Sequence, residues 1–207
     1  MAKINKALLS VSDKSSIVDF AKELAAYNIQ FISTGGTARI LRENGLELME
    51  VSDYTGYPEL LDGRVKTLHP KIHGGILGVR KNPDHRREMD EFNIEQIDMI
   101  VVNVKPFDYS RNDPNPSPLD VMNKIDTGGI ALLRSAAKNF ENVTVIVDAG
   151  DYDMVLDDLR NNDGAVSVET NLQLATKVFQ STSLYDRSIS EYMQQMAEKR
   201  IAGKKIL

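Results

Sequence analysis

The stretch "IDMIVVNV" (Ile97–Val104) contains an unbroken apolar run from position 99 to position 102. An alternating pattern would leave one face of a strand in water, whereas an unbroken run indicates a strand that is buried on both faces. Such strands are typical of parallel sheets with helices on both sides. The stretch therefore predicts a central strand of a parallel sheet, and it is the strongest strand signal in the chain.

Four further apolar runs predict the other strands of this sheet. They are Lys6–Val11, Ile29–Ser33, Leu46–Val51 and Val143–Asp148. Strand and helix signals alternate along the chain, which predicts a doubly wound α/β fold with a mostly parallel sheet and C-terminal helices. We interpret residues 1–207 as a single domain, in which residues 167–200 form a C-terminal helical segment.

The predicted helices fill the intervals between these strands. Helical periodicity covers residues 15–28, 37–45, 83–93, 128–140, 151–164 and 167–197. Gly45 is expected to end its helix in a left-handed conformation, and Ser117 is expected to cap a short helix that ends near Lys124. The serines at positions 181 and 183 predict a break in the last helix. The stretch "DGRVKTLHPKIHGGIL" (Asp62–Leu77) has no clean period, and we interpret it as a loop.

The composition excludes several classes of protein. Cysteine is absent, which excludes a disulfide scaffold, thiolate metal ligands and a cysteine nucleophile, and which fits a reducing compartment. The net charge of −5 argues against a general nucleic-acid surface. The start, "MAKINKALLSVSD", has no long apolar run with a cleavage site, and no stretch approaches the roughly 18 apolar residues of a membrane span. We expect a soluble cytoplasmic protein without nucleic-acid or membrane partners.

Two polar turns follow predicted strands, which is where doubly wound sheets bind ligands. "SVSDKSS" places Ser12, Asp13 and Lys14 at the start of a helix, where N–H groups, a hydroxyl and an ammonium suit a phosphate. Simple helix capping is the alternative. "STGGTA" (Ser33–Ala38) places two glycines and two hydroxyls at the next strand end, and its alternative is an ordinary glycine turn. Together the two turns favour a ligand site.

The stretch Asp62–Leu77 carries more basic side chains than a connecting loop needs. Arg64 and Lys66 alternate, so an extended backbone would put both on one side. His69 and His73 have the spacing of helical metal ligands. However, a proline lies between them and no glutamate or cysteine joins them, so we expect no metal site. A solvated basic loop is the other alternative.

The stretch "NKIDTGGIALLRSAAKN" (Asn123–Asn139) combines an acid, two glycines and a basic helix face. Asp126 precedes the glycines, and Arg134 and Lys138 are four residues apart on the same face. An acid at the start and a lysine at the end of a helix also complement its dipole, which is the alternative explanation. Polar turns at several strand ends nevertheless favour one shared crevice.

In this order and spacing, "SVSDK", "STGGTA", "VSDYTGYPELLDGRVKTLHPKIHGGIL", "IDTGG" and "LRSAAKN" closely resemble the IMP cyclohydrolase domain. This domain is the N-terminal half of the bifunctional enzyme that completes purine biosynthesis. The resemblance covers nearly the whole chain. It implies a methylglyoxal-synthase-like fold, a homodimer, and closure of the second ring of formyl-AICAR to give inosine monophosphate (IMP) and water. It implies no cofactor and no metal.

The resemblance also implies roles for individual residues. Lys138 would donate or accept a proton, Lys66 would stabilise the oxyanion, and Asp126 would orient and deprotonate the amide. The positions that match the family's nucleotide contacts are Ser12, Asp13, Lys14, Thr34, Gly35, Gly36, Thr37, Arg64, Val65, Lys66, Thr67, Val102, Asn103, Asp126 and Thr127.

The sequence departs from the family pattern in three places. Lys105 stands where the family has a tyrosine that is a proposed catalytic group. We expect the Lys105 ammonium to donate to the oxyanion from the crevice that also holds Lys66 and Lys138. Thr127 replaces the usual isoleucine, at a position where the main chain makes the contact. The chain ends at Leu207, whereas bifunctional relatives continue into an AICAR transformylase. A transformylase partner would therefore be either a separate protein or a fused domain outside this chain.

Two other functions fit parts of the pattern. A non-catalytic nucleotide- or phosphate-binding regulatory domain of the same fold would need the phosphate cradle but not the ring-closing groups. Lys105 favours this alternative, whereas Lys66, Asp126 and Lys138 together oppose it. Methylglyoxal synthase fits less well, because the chain lacks that family's glycine-glycine-aspartate signature.

Overall fold

The computed structural model describes residues 3–107 and 117–201, except for the side chain of residue 200. The described residues form five strands, which are β1 (Lys6–Val11), β2 (Gln30–Ser33), β3 (Met49–Glu50), β4 (Met99–Asn103) and β5 (Thr144–Ile146). They also form nine α-helices, which are α1 (Ile17–Ala25), α2 (Gly35–Glu43), α3 (Val51–Thr55), α4 (Pro70–Leu77), α5 (Pro83–Glu91), α6 (Pro118–Met122), α7 (Thr127–Lys138), α8 (Tyr152–Asn161) and α9 (Val168–Ile201).

The five strands form one parallel sheet in the order β3-β2-β1-β4-β5. The chain first adds strands on one side of β1 and then crosses over to add β4 and β5 on the other side. The β1–β4 pair runs from Ala7 opposite Met99 to Val11 opposite Asn103. In a doubly wound sheet, this reversal leaves a crevice at the carboxyl ends of the two central strands. The predicted fold class is confirmed.

Strand β4 lies in the middle of the core, as its apolar run predicts. The residues from Met99 to Val102 each expose 1% of their surface or less. Helix α7 packs against β4, and α9 packs against α7 and β5. Although α9 has 34 residues, no described helix offers the long apolar stretch that would cross a bilayer.

Two predictions about local structure are wrong. The stretch that we interpreted as a loop contains α4, which begins at Pro70. Proline suits the first helical turn, because the N–H that it lacks would have no partner there. His69 caps this helix by accepting a hydrogen bond from the Lys71 N–H at 3.1 Å. The predicted break at residues 181–183 is also not found, because the packing of α9 on α7 and β5 overrides the weak helix propensity of serine.

The edge of the sheet is shorter than predicted. Of the predicted strand Leu46–Val51, only Met49–Glu50 pairs with β2, and Val51 begins α3 instead. Just before it, Gly45 has a φ of +81°, which confirms the predicted left-handed end of α2. A short edge strand limits the unpaired backbone that a sheet exposes.

A buried ion pair joins the amino ends of β1 and β4. Asp98 exposes 4% of its surface and accepts hydrogen bonds from the N–H groups of Asn5 and Lys6 at 2.9 and 3.1 Å. Arg80 donates to the same carboxylate at 3.1 Å and to the Ile97 carbonyl at 3.0 Å. Burial lowers the pKa of the Arg80 guanidinium, and the charge of Asp98 opposes this shift. Asp98 therefore pairs two strand N–H groups and a buried cation at once.

Candidate active site

A cavity of about 680 Å³ opens at the carboxyl ends of the central strands. Its described lining includes five cationic side chains and two carboxylates, although the whole chain has a net charge of −5. An excess of positive charge in a crevice attracts an anionic ligand. The cations are Lys14, Arg64, Lys66, Lys105 and Lys124, and the acids are Asp62 and Asp126.

Most of the site residues suggested by the sequence meet in this cavity. A second cavity adjoins this first one and shares Ser12, Asn103, Lys105 and Lys124 with it. Asp13 lines only this adjoining cavity. Val65 and Val102 line neither cavity, and Val102 is buried within β4. The suggested residues that line the first cavity are Ser12, Lys14, Thr34, Gly35, Gly36, Thr37, Arg64, Lys66, Thr67, Asn103, Lys105, Asp126 and Thr127.

Lys14 lies over the first turn of α2. A Cβ atom added to Gly36 would lie 3.1 Å from Lys14 Cε and 3.4 Å from its Nζ, so a side chain at this position would crowd the lysine. The first N–H groups of a helix have no partner within the helix and carry partial positive charge. Together with the Lys14 ammonium, these N–H groups have the chemistry that suits a phosphate group.

The family resemblance implies that the cavity binds IMP, and on that basis Lys14→Ala is expected to weaken the binding of IMP roughly 10- to 100-fold, because it removes a charged partner of the phosphate. The binding of inosine should not change, since inosine has no phosphate. Calorimetric titration with the two ligands measures both effects. Lys22→Ala removes the same charge from an exposed position on α1 and is the matched control. Equal losses for IMP and inosine would place the phosphate elsewhere.

Two residues expected to contact the ligand use their side chains to hold the walls of the cavity. Asn103 Oδ1 accepts hydrogen bonds from the N–H groups of Ser12 and Asp13 at 2.7 and 2.9 Å, and its Nδ2 donates to the Asp13 carbonyl at 3.0 Å. The Thr37 hydroxyl accepts from the Val11 N–H at 2.9 Å and donates to the Val11 carbonyl at 3.1 Å. These bonds tie the β1–α1 turn to β4 and to α2.

The basic stretch before α4 forms a tight loop beside the cavity. Leu60 and Val65 exchange two main-chain hydrogen bonds of 3.0 and 3.2 Å, which close the loop at its base. Arg64 donates to the Asn123 side chain at 2.5 Å, just ahead of α7. Lys66 follows the closed loop and lines the cavity. Arg64 and Lys66 thus both line the cavity, although residues 61–64 form a turn and not the extended backbone that the alternation argument assumes.

The two histidines of this stretch serve the framework around α4. His69 caps the helix, and His73 Nδ1 is 3.0 Å from the Ser135 hydroxyl of α7. Burial lowers the pKa of the His73 imidazole, which favours its neutral form. Within residues 3–107 and 117–201, no three His, Cys, Asp or Glu side chains come together as a metal-binding group. His69 therefore caps α4, and His73 connects α4 to α7.

Asp126 caps the start of α7 with one oxygen and keeps the other open. Its Oδ1 accepts a hydrogen bond from the Gly129 N–H at 2.7 Å. Its own N–H donates to the phenol oxygen of Tyr185 on α9 at 2.8 Å. The described residues provide no hydrogen-bond donor to Oδ2. An open carboxylate oxygen in a cavity can accept a proton from a bound ligand.

Lys105 and Lys124 lie where the first cavity meets the adjoining one, and both line the two cavities. Lys105 therefore shares the first cavity with Lys66. Lys124 is not among the residues that the sequence motifs predict for the site. Its position two residues before Asp126, in a polar turn between two helices, is the signal that could have found it.

Lys138 lies outside the first cavity. Asp126 caps the start of α7 and Lys138 is its last residue, so about 18 Å of helix separates the two positions. One turn before Lys138, the Arg134 guanidinium lies 5.5 Å from the centre of the Phe179 ring of α9. Within one chain, the expectation that Lys138 shares the crevice of Lys66 and Lys105 is wrong, because an intact helix holds the two ends of this motif apart.

Comparisons with known proteins agree with this fold. Residues 16–131 match the family model described as MGS-like domain, and residues 136–206 match the model described as AICARFT/IMPCHase bienzyme. The first match covers more than half of the chain. The chain therefore belongs to the MGS-like domain family.

Two individual proteins match nearly the whole chain. The chain is 52% identical over 193 residues to the "Bifunctional purine biosynthesis protein PurH" of Magnetococcus marinus. This match spans 93% of the chain and 36% of the relative, so the chain covers about a third of that protein's length. A solved structure, "Crystal structure of ForH", matches with a TM-score of 0.81 and 40% identity, over 91% of this chain and 98% of that chain. These matches confirm the resemblance that the motifs indicate.

Proposed function

We propose that the protein is an IMP cyclohydrolase, which closes formyl-AICAR to IMP with loss of water at the end of purine biosynthesis. The observation that carries this proposal is the cavity that brings Lys14, Lys66 and Asp126 together. One end of the cavity suits the phosphate of the nucleotide. The cavity also holds an acid and ammonium groups that suit the groups that react. The positive charge of the cavity and the family matches support the same activity.

The reaction needs a base and a partner for a developing oxyanion at neighbouring positions. The carboxamide nitrogen attacks the formyl carbon and loses a proton, and the formyl oxygen gains one. The resulting hydroxyl then leaves as water with the proton of the former formamide nitrogen, which creates the C=N bond of IMP. Both reacting groups belong to one molecule, so a cavity that holds the phosphate and the base in place selects the reactive rotamer.

The residues of the cavity can perform these steps without a covalent intermediate. The open Oδ2 of Asp126 accepts the proton of the carboxamide nitrogen. The Lys66 ammonium stabilises the formyl oxygen as its charge develops, and it supplies the proton that the oxygen gains. Arg64, held by Asn123, adds positive charge near Lys66.

Incubation of the purified chain with formyl-AICAR tests the proposed activity. IMP should form in step with the loss of formyl-AICAR, and chromatography measures both. Binding of IMP with no turnover would instead support the alternative, a regulatory nucleotide-binding domain. The placement of Lys138 outside the cavity makes this comparison necessary.

Lys105→Met is expected to slow ring closure roughly tenfold, because it removes one donor to the developing oxyanion. Lys105→Tyr should largely preserve the rate, since a phenol can donate from the same place. The initial rate of IMP formation measures both variants, and Lys81→Met, at an exposed position outside both cavities, is the control. A parental rate for Lys105→Met would show that Lys105 takes no part.

We also propose that the protein is a homodimer in which Lys138 acts on the cavity of the second copy. Lys138 is exposed and does not line the cavity of its own chain. On α9, the exposed side chains of Leu172, Phe179 and Met193 are separated by multiples of seven residues, so they share a face. This face gives a second copy an apolar surface near Arg134, which lies one turn before Lys138.

A mixture of two inactive variants tests the placement of Lys138. Lys138→Ala and Asp126→Asn should each lose activity as pure dimers. A mixed dimer would have one cavity in which both residues are intact, so an equal mixture should regain about a quarter of the parental activity. Light scattering verifies the dimer. No recovery in a mixture that contains mixed dimers would contradict the proposal.

We further propose that residues 1–207 form a single domain that works in the cytoplasm beside an AICAR transformylase, either fused or separate. The Magnetococcus relative is named as bifunctional. The absence of cysteine fits a reducing compartment. Fractionation of cells that express the tagged protein tests its location.

A further inference from the structure

The start of α7 lacks the usual partner for its cap residue. In a capping box, the side chain of the third helical residue returns to the N–H of the N-cap residue. In α7 the N-cap is Asp126, and the third residue is Gly129, which has no side chain. A Cβ atom at Gly129 would lie 2.5 Å from Asp126 Oδ2, so the carboxylate already occupies the space of a side chain. The Asp126 N–H therefore needs a partner from another element.

Tyr185 of α9 is this partner. Its phenol oxygen accepts the Asp126 N–H at 2.8 Å, and the residue exposes 7% of its surface. Burial is the largest influence on this phenol and raises its pKa, so the group stays neutral and keeps a lone pair for the N–H. Its ring is nearly perpendicular to that of Phe107, with ring centres 6.3 Å apart. Phe107 lies two residues after Lys105, so Tyr185 contacts two of the segments that bring the proposed reacting groups to the cavity.

We propose that Tyr185 is a positioning residue for the acid of the ring closure, an inference that rests on the proposed function. The Tyr185 oxygen fixes the main chain of Asp126, and the Gly129 N–H fixes one carboxylate oxygen. These two bonds set the direction of the open Oδ2. No described residue of α9 lines the first cavity, so α9 acts on the reaction through Asp126.

Tyr185→Phe removes the accepting oxygen and keeps the ring that packs against Phe107. The turnover number should fall roughly tenfold, because the Asp126 N–H loses its partner and the carboxylate loses its fixed direction. The KM and the affinity for IMP should stay within about twofold of the parent, since the phosphate end is unchanged. When Asp126 is already replaced by asparagine, adding Tyr185→Phe should change the rate less than about twofold.

Tyr54→Phe is the matched control. Tyr54 is equally buried, and its hydroxyl also bonds to the main chain, at the Glu95 carbonyl 3.4 Å away. It lies on α3 and lines neither the first nor the adjoining cavity. Loss of its hydroxyl should leave the turnover number unchanged. An equal loss of turnover in both tyrosine variants would overturn the inference, as would a loss for Tyr185→Phe of the same size with and without the Asp126 carboxylate.

Amide hydrogen exchange separates this inference from the proposed function. If the parent makes no IMP, the proposed function fails, but the exchange of the Asp126 amide still reports its bond to Tyr185. We expect that amide to exchange at least about tenfold faster in Tyr185→Phe than in the parent. Unchanged exchange would overturn the positioning role whether or not the protein turns over formyl-AICAR.

Discussion

Asp126→Asn should lower the turnover number roughly 100-fold or more and leave the affinity for IMP unchanged. Asparagine presents an amide oxygen that can still accept the Gly129 N–H, and it is as good a helix cap as aspartate. The variant therefore keeps the start of α7 while it loses the carboxylate that we propose takes the proton from the carboxamide. Single-turnover kinetics with formyl-AICAR measure the chemical step, and calorimetry measures the affinity for IMP.

The control for this variant is Asp84→Asn. Asp84 lies in the first turn of α5 and is exposed, so the change also removes a carboxylate from the start of a helix, but away from the cavity. Its turnover number should equal that of the parent. A normal rate for Asp126→Asn would mean that another group accepts the proton, and the mechanism derived from the cavity would be wrong.

Asp98→Ala should lower the free energy of unfolding by about 3 to 5 kcal/mol, which is typical when one partner of a buried ion pair is removed. The change leaves the Arg80 guanidinium buried without its counter-ion. It also leaves the N–H groups of Asn5 and Lys6 without their acceptor. Both effects act where β1 and β4 begin, so the whole sheet is weakened. Urea unfolding followed by circular dichroism measures the loss.

Two further variants define the origin of this effect. Asp163→Asn removes the charge that faces the exposed Lys3 ammonium, and asparagine tolerates the left-handed φ of 54° at this position, so the unfolding midpoint should stay unchanged. Adding Arg80→Met to Asp98→Ala should recover part of the lost stability, because it removes the unpaired buried charge. If the double variant is as unstable as Asp98→Ala, the unpaired N–H groups rather than the charge dominate the loss.

The fold was largely predictable, because each central strand carries its own apolar run. Strands β1, β2, β4 and β5 lie within the predicted ranges, and so does the shorter β3. Helix α4 was not predictable by periodicity, since its apolar residues are interrupted by Lys71, His73 and two glycines. Its signals were Pro70 and the cap at His69. The ion pair of Asp98 with Arg80 joins residues from different segments of the chain, so no local sequence pattern predicts it.

Most of the residues that line the cavity were predictable from the sequence, but their positions relative to one another were less so. Polar turns at strand ends converge because parallel strands share an edge, which is a property of the fold class. The predicted helix over residues 128–140 already separates Asp126 from Lys138, but motif spacing alone does not show which end of that helix lies in the cavity. The contact of Tyr185 with Asp126 spans 59 residues and depends on how α9 packs.

The bonds of Asn103 have a consequence for how this site could change its substrate. The Asn103 side chain forms hydrogen bonds with main-chain atoms of Ser12 and Asp13, so these bonds do not depend on which side chains stand at those two positions. The side chain at position 12 can therefore vary with the ligand while the wall of the cavity keeps its shape, whereas Asp13 also accepts hydrogen bonds from the N–H and the hydroxyl of Ser15. Directed evolution toward a different nucleotide should accept changes at position 12 and reject them at Asn103.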